Sequence, residues 1–306
     1  MRSSIIATGL RFPEGPIGMP DGSVLLVEIE AATLTRVMPD GSTMIVARTG
    51  GGPNGAAIGP DGAVYICNNG GFRWHRSGDA LRPVMQADDY SGGRIERVDL
   101  TTGAVSVLYT GTDEVRLRGP NDLVFDGHGG FWFTDLGKAR PRDQDRTGIF
   151  YAKADGSMIH EVIHPMVTPN GIGLSPQGDR LYVAETVPGR LWAFDITGPG
   201  EIKRQPWPSP NGGTLLAGLP GYQLLDSLAV DSAGNICVAT LFNGGITVIS
   251  PDGKVLDHIA MPDIYTTNVC FGGPELRTAF ITLSSSGRLV AVEWPRPGLG
   301  LHHLNR

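Results

Sequence analysis

Cysteines, basic clusters and long apolar runs are scarce in this 306-residue chain. The 3 Cys are too few for a disulfide framework, and all lie in strand-like segments, where we expect reduced, buried thiols. Basic residues form no cluster and the net charge is −6, so we expect no nucleic-acid partner. No apolar run approaches the ~20 residues that span a bilayer, and the first residues do not resemble a secretory signal. These absences predict a cytoplasmic protein without a membrane partner.

Turn-forming residues are abundant, with 44 Gly and 23 Pro, and they separate the copies of a repeated unit. Each copy has a polar residue, an apolar strand, a tight turn and a second strand, as in residues 119–135 and 169–185. The polar residues that lead the six copies are Glu14, Asn54, Asn121, Asn170, Asp226 and Asn268. A repeat of about 40–50 residues is typical of propeller blades.

An outer hairpin follows each inner pair of strands, often turned by Asp-Gly as at Asp40-Gly41, the strongest short-range hairpin signal. We therefore predict an all-β, six-bladed β-propeller with four antiparallel strands per blade, forming one domain over residues 1–306. A strand at residues 3–10 should close the last blade beside residues 287–293. Residues 70–92 and 208–222 do not fit the blade pattern, and we predict a lid loop for residues 70–92.

The six leading residues form a ring of oxygen-bearing side chains if each opens the innermost strand of its blade. All would then point at one end of the central channel. Hard oxygen donors favour Ca²⁺, Mg²⁺ or Mn²⁺ over a structural zinc ion. The alternative is that these side chains only satisfy turn backbones, as Asn and Asp often do.

Residues 160–164, His-Glu-Val-Ile-His, match a zinc-protease string that requires a helix. Here the string occupies the position of an outer strand, where residues four apart lie ~13 Å from each other. We therefore predict no zinc site there. No Gly-x-Ser-x-Gly elbow and no dinucleotide-binding glycine loop occur, which disfavours a covalent serine hydrolase and a nicotinamide enzyme.

Several motifs together resemble the regucalcin/gluconolactonase (senescence-marker-protein) family, in the same order along nearly the whole chain. They lie at residues 12–16, 119–122, 169–171, 225–227 and 267–273. The resemblance implies a six-bladed propeller that hydrolyses lactones with one divalent cation in the channel mouth. It implies Glu14, Asn170 and Asp226 as metal ligands and Asn121 at the substrate. Arg118 stands three residues before Asn121, whereas sugar lactonases of the family carry a substrate-binding Arg two before it.

The resulting hypothesis is a lactonase that converts a small sugar lactone or γ-lactone to its hydroxy acid. Its cation is most simply Ca²⁺, with Zn²⁺, Mn²⁺ and Fe²⁺ left open. Either Asp226 or a metal-bound hydroxide activates water. Substrate contacts are expected from the amides of Asn121, Asn54 and Asn268 and from a lid, and Asp122 and Ser227 are outer candidates. The lid aromatics are Phe72, Trp74 and Tyr90, and they would favour a less hydroxylated lactone.

Two other functions remain compatible with the sequence, because a propeller fold does not determine activity. One is a paraoxonase-like hydrolase of aryl esters or phosphotriesters. The other is a non-catalytic propeller that binds a metal or ligand. The sequence is compatible with a monomer or a weak homo-oligomer.

Overall fold

The computed structural model describes residues 2–306, which form six antiparallel sheets arranged as propeller blades. The innermost strands of neighbouring blades contact one another in cyclic order, and the last packs against the first. Helical structure within residues 2–306 is limited to a 3₁₀ turn at Pro274–Leu276. The predicted all-β, six-bladed arrangement is confirmed.

The strands follow the repeats in chain order. Before blade one comes β1 (Ser3–Ala7), and blade one contains β2 (Pro13–Gly18), β3 (Val24–Glu28), β4 (Thr33–Val37) and β5 (Thr43–Arg48). Blade two contains β6 (Pro53–Ile58) and β7 (Val64–Asn68), a separate hairpin of β8 (Phe72–Ser77) and β9 (Ala80–Gln86), then β10 (Arg94–Val98) and β11 (Val105–Tyr109). Blade three contains β12 (Pro120–Phe125), β13 (Gly130–Asp135), β14 (Thr147–Lys153) and β15 (Ile159–Met166).

The second half of the chain continues the same order. Blade four contains β16 (Pro169–Leu174), β17 (Arg180–Glu185), β18 (Arg190–Gly198), β19 (Glu201–Lys203) and β20 (Thr214–Gly218). Blade five contains β21 (Leu224–Val230), β22 (Ile236–Leu241), β23 (Gly245–Ile249) and β24 (Val255–Ala260). Blade six contains β25 (Thr266–Gly272), β26 (Thr278–Leu283) and β27 (Arg288–Glu293).

Strand β1 lies on the outside of blade six, where it pairs antiparallel with β27. The register places Ile5 opposite Val290 and Ala7 opposite Leu289. The order β1-β27-β26-β25 therefore supplies a fourth strand to the last blade from the start of the chain. This pairing is consistent with the predicted closure.

Both irregular segments contain strands, which corrects two expectations. Residues 70–92, predicted as a lid loop, hold the hairpin β8–β9, whose two strands pair across a turn at Gly78, a glycine with positive φ. Residues 208–222 include β20, which pairs with β18 and makes blade four a sheet of five strands rather than four.

Large apolar side chains fill the space between adjacent blades. Between blades two and three, the ring of Phe125 lies 5.1 Å from that of Tyr65 and 5.2 Å from that of Phe131. Burial of such apolar surface is the main favourable contribution to folding. The three cysteines are buried and free, as expected. Within residues 2–306, no helix has the length and apolar character needed to cross a membrane.

Candidate active site

Each of the six leading polar residues occupies the second or third position of an innermost strand. In every blade, the pairing register of that strand is irregular at this residue or directly beside it. Such bulges re-aim side chains and are common next to active sites. Five of the six residues are buried, and Asp226 is partly exposed.

Glycines that follow the polar residues allow the innermost strands to approach closely. A Cβ atom on Gly15 would lie 2.6 Å from the carbonyl oxygen of Asn54. One on Gly55 would lie 2.5 Å from that of Asn121, and one on Gly171 would lie 2.7 Å from that of Asp226. Glycine at these positions therefore allows the innermost strands to pack closely enough to form the ring.

Three carboxyl groups from different blades influence one another at this end of the channel. Burial raises the pKa of Glu14, and burial together with the negative charge of Glu14 raises the pKa of Asp226 well above its usual range. Burial and the charge of Glu14 also raise the pKa of Asp122 to about 7. Asp122, a minor candidate from the sequence, thus lies within electrostatic range of both predicted carboxylate ligands.

Two amides of the ring are bonded to protein. Asn268 donates from Nδ2 to Oε2 of Glu14 at 2.8 Å and accepts at Oδ1 from the backbone N–H of Val269 at 2.8 Å. Asn170 donates from Nδ2 to Oγ1 of Thr186 at 3.0 Å, which turns its Oδ1 towards Ser227 at 3.5 Å. Asn268 therefore positions Glu14, whereas Asn170 keeps its carbonyl oxygen on the side of blade five.

The amides of Asn54 and Asn121 make no side-chain hydrogen bond to protein within residues 2–306, although both residues are buried. Neither amide is among the enclosed side-chain polar groups of residues 2–306 that lack a partner, so both are open to the channel. These two amides are therefore the members of the ring with donors and acceptors available for a ligand.

Thr134 connects blades three and four beneath the ring, and the sequence did not identify it as a site residue. Its Oγ1 donates to the carbonyl oxygen of Asn170 at 2.6 Å and accepts from the backbone N–H of Asp122 at 3.2 Å. The sequence feature that could have identified Thr134 is the Thr-Asp pair at the end of the second strand of this repeat.

The three predicted lid aromatics lie in different environments. The ring of Trp74 packs 5.2 Å from that of Phe12, two residues before Glu14. The ring of Phe72 has Nζ of Lys138 at 3.7 Å from its centroid. The hydroxyl of Tyr90 donates to the carbonyl oxygen of Arg118 at 2.6 Å and accepts from Gly93 N–H at 3.1 Å.

The hairpin β8–β9 reaches from blade three to blade six. The backbone N–H of Gln86 donates to Ala139 of blade three at 2.9 Å, and that of Leu81 donates to Ser285 after β26 at 3.0 Å. It therefore covers the side of the mouth that carries Glu14. The guanidinium of Arg118 lies 3.6 Å from the carboxylate of Asp145.

The His-Glu-Val-Ile-His string lies on β15, as predicted, so its two histidines do not share a helix face. The ring of His160 contacts the carbonyl oxygen of Gly200 at 3.0 Å, while His164 is exposed. Among residues 2–306, no group of three or more His, Cys, Asp or Glu side chains is placed to hold a metal ion.

The donor set of the ring nevertheless fits one hard divalent cation. Glu14 and Asp226 supply two carboxylates whose mutual repulsion a cation would offset, and Asn170 supplies an amide oxygen. Carboxylate and carbonyl oxygens are the ligands that Ca²⁺ prefers. A set of two carboxylates and one amide contains only two acidic side chains. It therefore does not conflict with the absence, among residues 2–306, of a group of three His, Cys, Asp or Glu side chains placed to hold a metal ion.

Below the ring, the channel continues as a cavity of about 110 Å³ with apolar walls from all six innermost strands. The C-terminal segment, residues 299–306, lines its far end, where Leu299 N–H donates to Val230 at 2.9 Å. The carboxylates and amides of the ring therefore lie at one end of the channel, whereas His302 and Arg306 line the other end.

Comparisons with known proteins show the family and the fold of the chain. The family model described as the SMP-30/gluconolactonase/LRE-like region matches residues 12–285. The chain is 27% identical to a gluconolactonase of Zymomonas mobilis, over 92% of this chain and 78% of that protein. It is 30% identical to a diisopropyl-fluorophosphatase of Loligo vulgaris, over 69% of this chain and 71% of that protein. The crystal structure of a regucalcin from Agrobacterium tumefaciens superposes with a TM-score of 0.74 at 17% identity, covering 99% of both chains.

Proposed function

Because the chain belongs to the SMP-30/gluconolactonase/LRE-like family, we propose that this lactone hydrolase is metal-dependent. Its substrate would be a small sugar lactone or γ-lactone, which it opens to the hydroxy acid. The observation that supports the metal most directly is the meeting of Glu14 and Asp226, two carboxylates from blades one and five, beside the amide of Asn170.

Glu14, Asn170 and Asp226 would hold the cation, with Ca²⁺ preferred for its oxygen ligands and Zn²⁺, Mn²⁺ and Fe²⁺ as alternatives. When bound, the cation would polarise the lactone carbonyl and stabilise the negative charge that develops on its oxygen. Asn268 holds Glu14 in place through its 2.8 Å hydrogen bond, which makes it a positioning residue in this proposal.

Asp226 is the proposed general base, since it is the partly exposed carboxylate of the ring. It would take a proton from water as the water oxygen bonds to the carbonyl carbon. The ring C–O bond then breaks, and the proton passes to the departing ring oxygen, giving the hydroxy acid. Asp122 is a second candidate for the base, because it is a third carboxyl group within electrostatic range of Glu14 and Asp226.

Asn121 and Asn54 would orient the lactone with their unbonded amides. Phe72 and Trp74 would form the apolar side of the pocket, with Tyr90 fixing the base of the hairpin by its bonds to Arg118 and Gly93. If these aromatics favour less hydroxylated lactones, replacing Phe72–Gln86 with a short Gly-Ser linker should shift preference towards gluconolactone. Unchanged preference would count against this role of the hairpin.

The test of the function is pH-stat hydrolysis of a lactone panel by chelator-stripped protein, with each divalent metal added back. The panel contains gluconolactone, xylonolactone, γ-butyrolactone and γ-valerolactone. We expect turnover of one class that depends on the added metal and is lost in Asp226→Ala. Folded protein that hydrolyses no lactone with any metal would refute the proposal and favour a binding propeller.

A second candidate activity is hydrolysis of an aryl ester or phosphotriester. The 30% identity to the squid diisopropyl-fluorophosphatase is the observation that favours it. Adding phenyl acetate and a phosphotriester to the same panel separates the two activities by their kcat/KM. The cytoplasmic location and the monomeric or weakly oligomeric state remain predictions from the sequence.

A further inference from the structure

The hairpin β8–β9 places one residue, Arg82, at the rim of the site. Its neighbour Leu81 donates a backbone hydrogen bond to Ser285 at 3.0 Å, and Ser284 N–H donates to the carbonyl oxygen of Tyr265 at 2.9 Å. Tyr265 stands three residues before Asn268 of the ring. These backbone contacts bring Arg82 next to Tyr265 at the end of the channel that carries the carboxylates.

Arg82 differs from the other two arginines of the hairpin. Arg73 forms an ion pair with Asp88, and Arg76 forms one with Glu30. The side chain of Arg82 is exposed and forms no ion pair within residues 2–306, and its guanidinium interacts with the phenol of Tyr265. It projects with His75 from the strand face opposite Leu81, which is buried against blade one.

A continuous row of aromatic rings leads from the hairpin around the mouth to blade five. Centroid distances are 5.2 Å from Trp74 to Phe12, 6.3 Å from Phe12 to Tyr265, and 5.9 Å from Tyr265 to Phe242. The ring of Phe242 stacks on that of Tyr222 at 5.1 Å. The row forms an apolar wall with a guanidinium beside it.

The pKa of Tyr265 links this wall to the proposed base. Burial raises the pKa of Tyr265, the guanidinium of Arg82 lowers it, and the charges of Tyr222 and Asp226 raise it. The phenol of Tyr265 therefore lies within range of both Arg82 and the proposed base. A ligand seated over Asp226 would extend along Tyr265 towards Arg82.

The negative charge at the channel mouth suggests a function for Arg82 in substrate binding. Glu14, Asp122 and Asp226 repel an anionic substrate group, and one divalent cation offsets only part of their charge. A guanidinium binds a carboxylate through two parallel hydrogen bonds, which a neutral hydroxymethyl group cannot reproduce. We propose that Arg82 is a specificity-determining residue that binds a carboxylate substituent of the lactone, remote from the carbonyl that is attacked. This inference rests on the proposed lactonase function.

The test compares D-glucaro-1,4-lactone with D-glucono-1,4-lactone, which differ only in carboxylate versus hydroxymethyl at the far end. With the Ca²⁺-loaded full-length protein, we expect a lower KM for the glucarolactone. Arg82→Gln should raise that KM about tenfold with kcat unchanged and leave the KM for the gluconolactone as it was. Arg82→Lys should retain part of the preference, and Arg76→Gln on the same hairpin should change neither KM.

Equal KM values for the two lactones in the wild type, or an equal rise for both in Arg82→Gln, would overturn the inference. Absence of turnover of every lactone would refute the proposed function instead. Calorimetric titration of D-glucarate and D-gluconate then decides the role of Arg82 without turnover. Selective weakening of D-glucarate binding in Arg82→Gln would support it, and equal affinities in the two proteins would exclude it.

Discussion

At the scale of single residues, the carboxylates of the ring lower the stability of the metal-free protein. Asp226 and Glu14 raise each other's energy when both are ionised. Asp226→Asn should therefore raise the melting temperature of chelator-treated protein, by roughly 2–4 °C if it gains about 1 kcal/mol. The same change should abolish turnover and the stabilisation that we expect from added Ca²⁺.

Differential scanning fluorimetry with and without Ca²⁺ measures both effects. Glu201→Gln is the matched control, since Glu201 is exposed on β19 of blade four. It should leave the melting temperature and the Ca²⁺ effect unchanged. A lower melting temperature of metal-free Asp226→Asn would contradict the argument that the two carboxylates repel each other.

Lys138 is a second residue whose burial has a measurable consequence. Burial lowers its pKa from 10.5 to about 7, although its Nζ donates to Asn69 at 2.8 Å and to Gly71 at 2.9 Å. Between about pH 7 and 10.5 the unfolded chain then binds more protons than the native protein, so stability rises with pH over that range. Lys138→Met should remove this rise.

Urea unfolding of both proteins at pH 7, 8.5 and 10 measures the difference. The substitution leaves both acceptors bonded, because Gly71 N–H still donates to Asn69 and Ala87 N–H to Gly71. Any change in the pH profile therefore reports the lysine itself. Parallel profiles for the two proteins would show that the pKa of Lys138 is not lowered in the native state.

At the scale of elements, the spacing of neighbouring innermost strands determines where the ring residues stand. Gly171→Ala would introduce a Cβ atom 2.7 Å from the carbonyl oxygen of Asp226 and 2.6 Å from the backbone nitrogen of Leu228. Strands β16 and β21 would have to separate, at a cost of about 1–3 kcal/mol. We expect lower stability in urea and weaker Ca²⁺ binding.

Gly218→Ala on β20 is the control, because nothing lies within 4 Å of its new Cβ atom. It should leave Ca²⁺ affinity unchanged. If Gly171→Ala binds Ca²⁺ as tightly as the wild type, the close approach of the two strands does not set the geometry of the site.

The hairpin β8–β9 illustrates what local patterns predict about an element. Its aromatics and its departure from the blade repeat were visible in the sequence, and its two strands flank a glycine, Gly78. Its docking was not predictable, because Leu81 bonds to Ser285, about two hundred residues away along the chain. A single hydrogen bond leaves no pattern in either segment.

At the scale of the whole molecule, we propose that residues 1–306 form one domain whose ring is closed by β1. Starting the chain at Thr8 would leave the outer edge of β27 unpaired. An exposed strand edge invites pairing with another chain. We therefore expect a lower melting temperature and a shift from monomer towards oligomers in size-exclusion chromatography with light scattering.

A variant that keeps the length but replaces residues 2–7 with an alternating Thr-Val segment is the control. It should restore both properties, since β1 contributes mainly backbone hydrogen bonds and its first three residues are exposed. A shortened protein that stays monomeric with an unchanged melting temperature would show that the ring does not depend on β1.

The sequence by itself determined the number of blades and the identity of the ring residues. Six copies of one local pattern specify six similar sheets, because strand alternation and turn chemistry act over a few residues. The polar residue at the head of each copy was likewise readable, as were the motifs shared with lactonases.

Only the tertiary structure decided which groups each ring residue contacts. Asn268 bonds to Glu14 across 254 positions of sequence, Asp122 joins the carboxylates, and Arg82 stands beside Tyr265. Bulges and glycine contacts between blades set these distances, and both depend on neighbours far apart in the chain. A local pattern predicts which residue begins a strand. The partners of its side chain depend on how the blades pack when the ring closes.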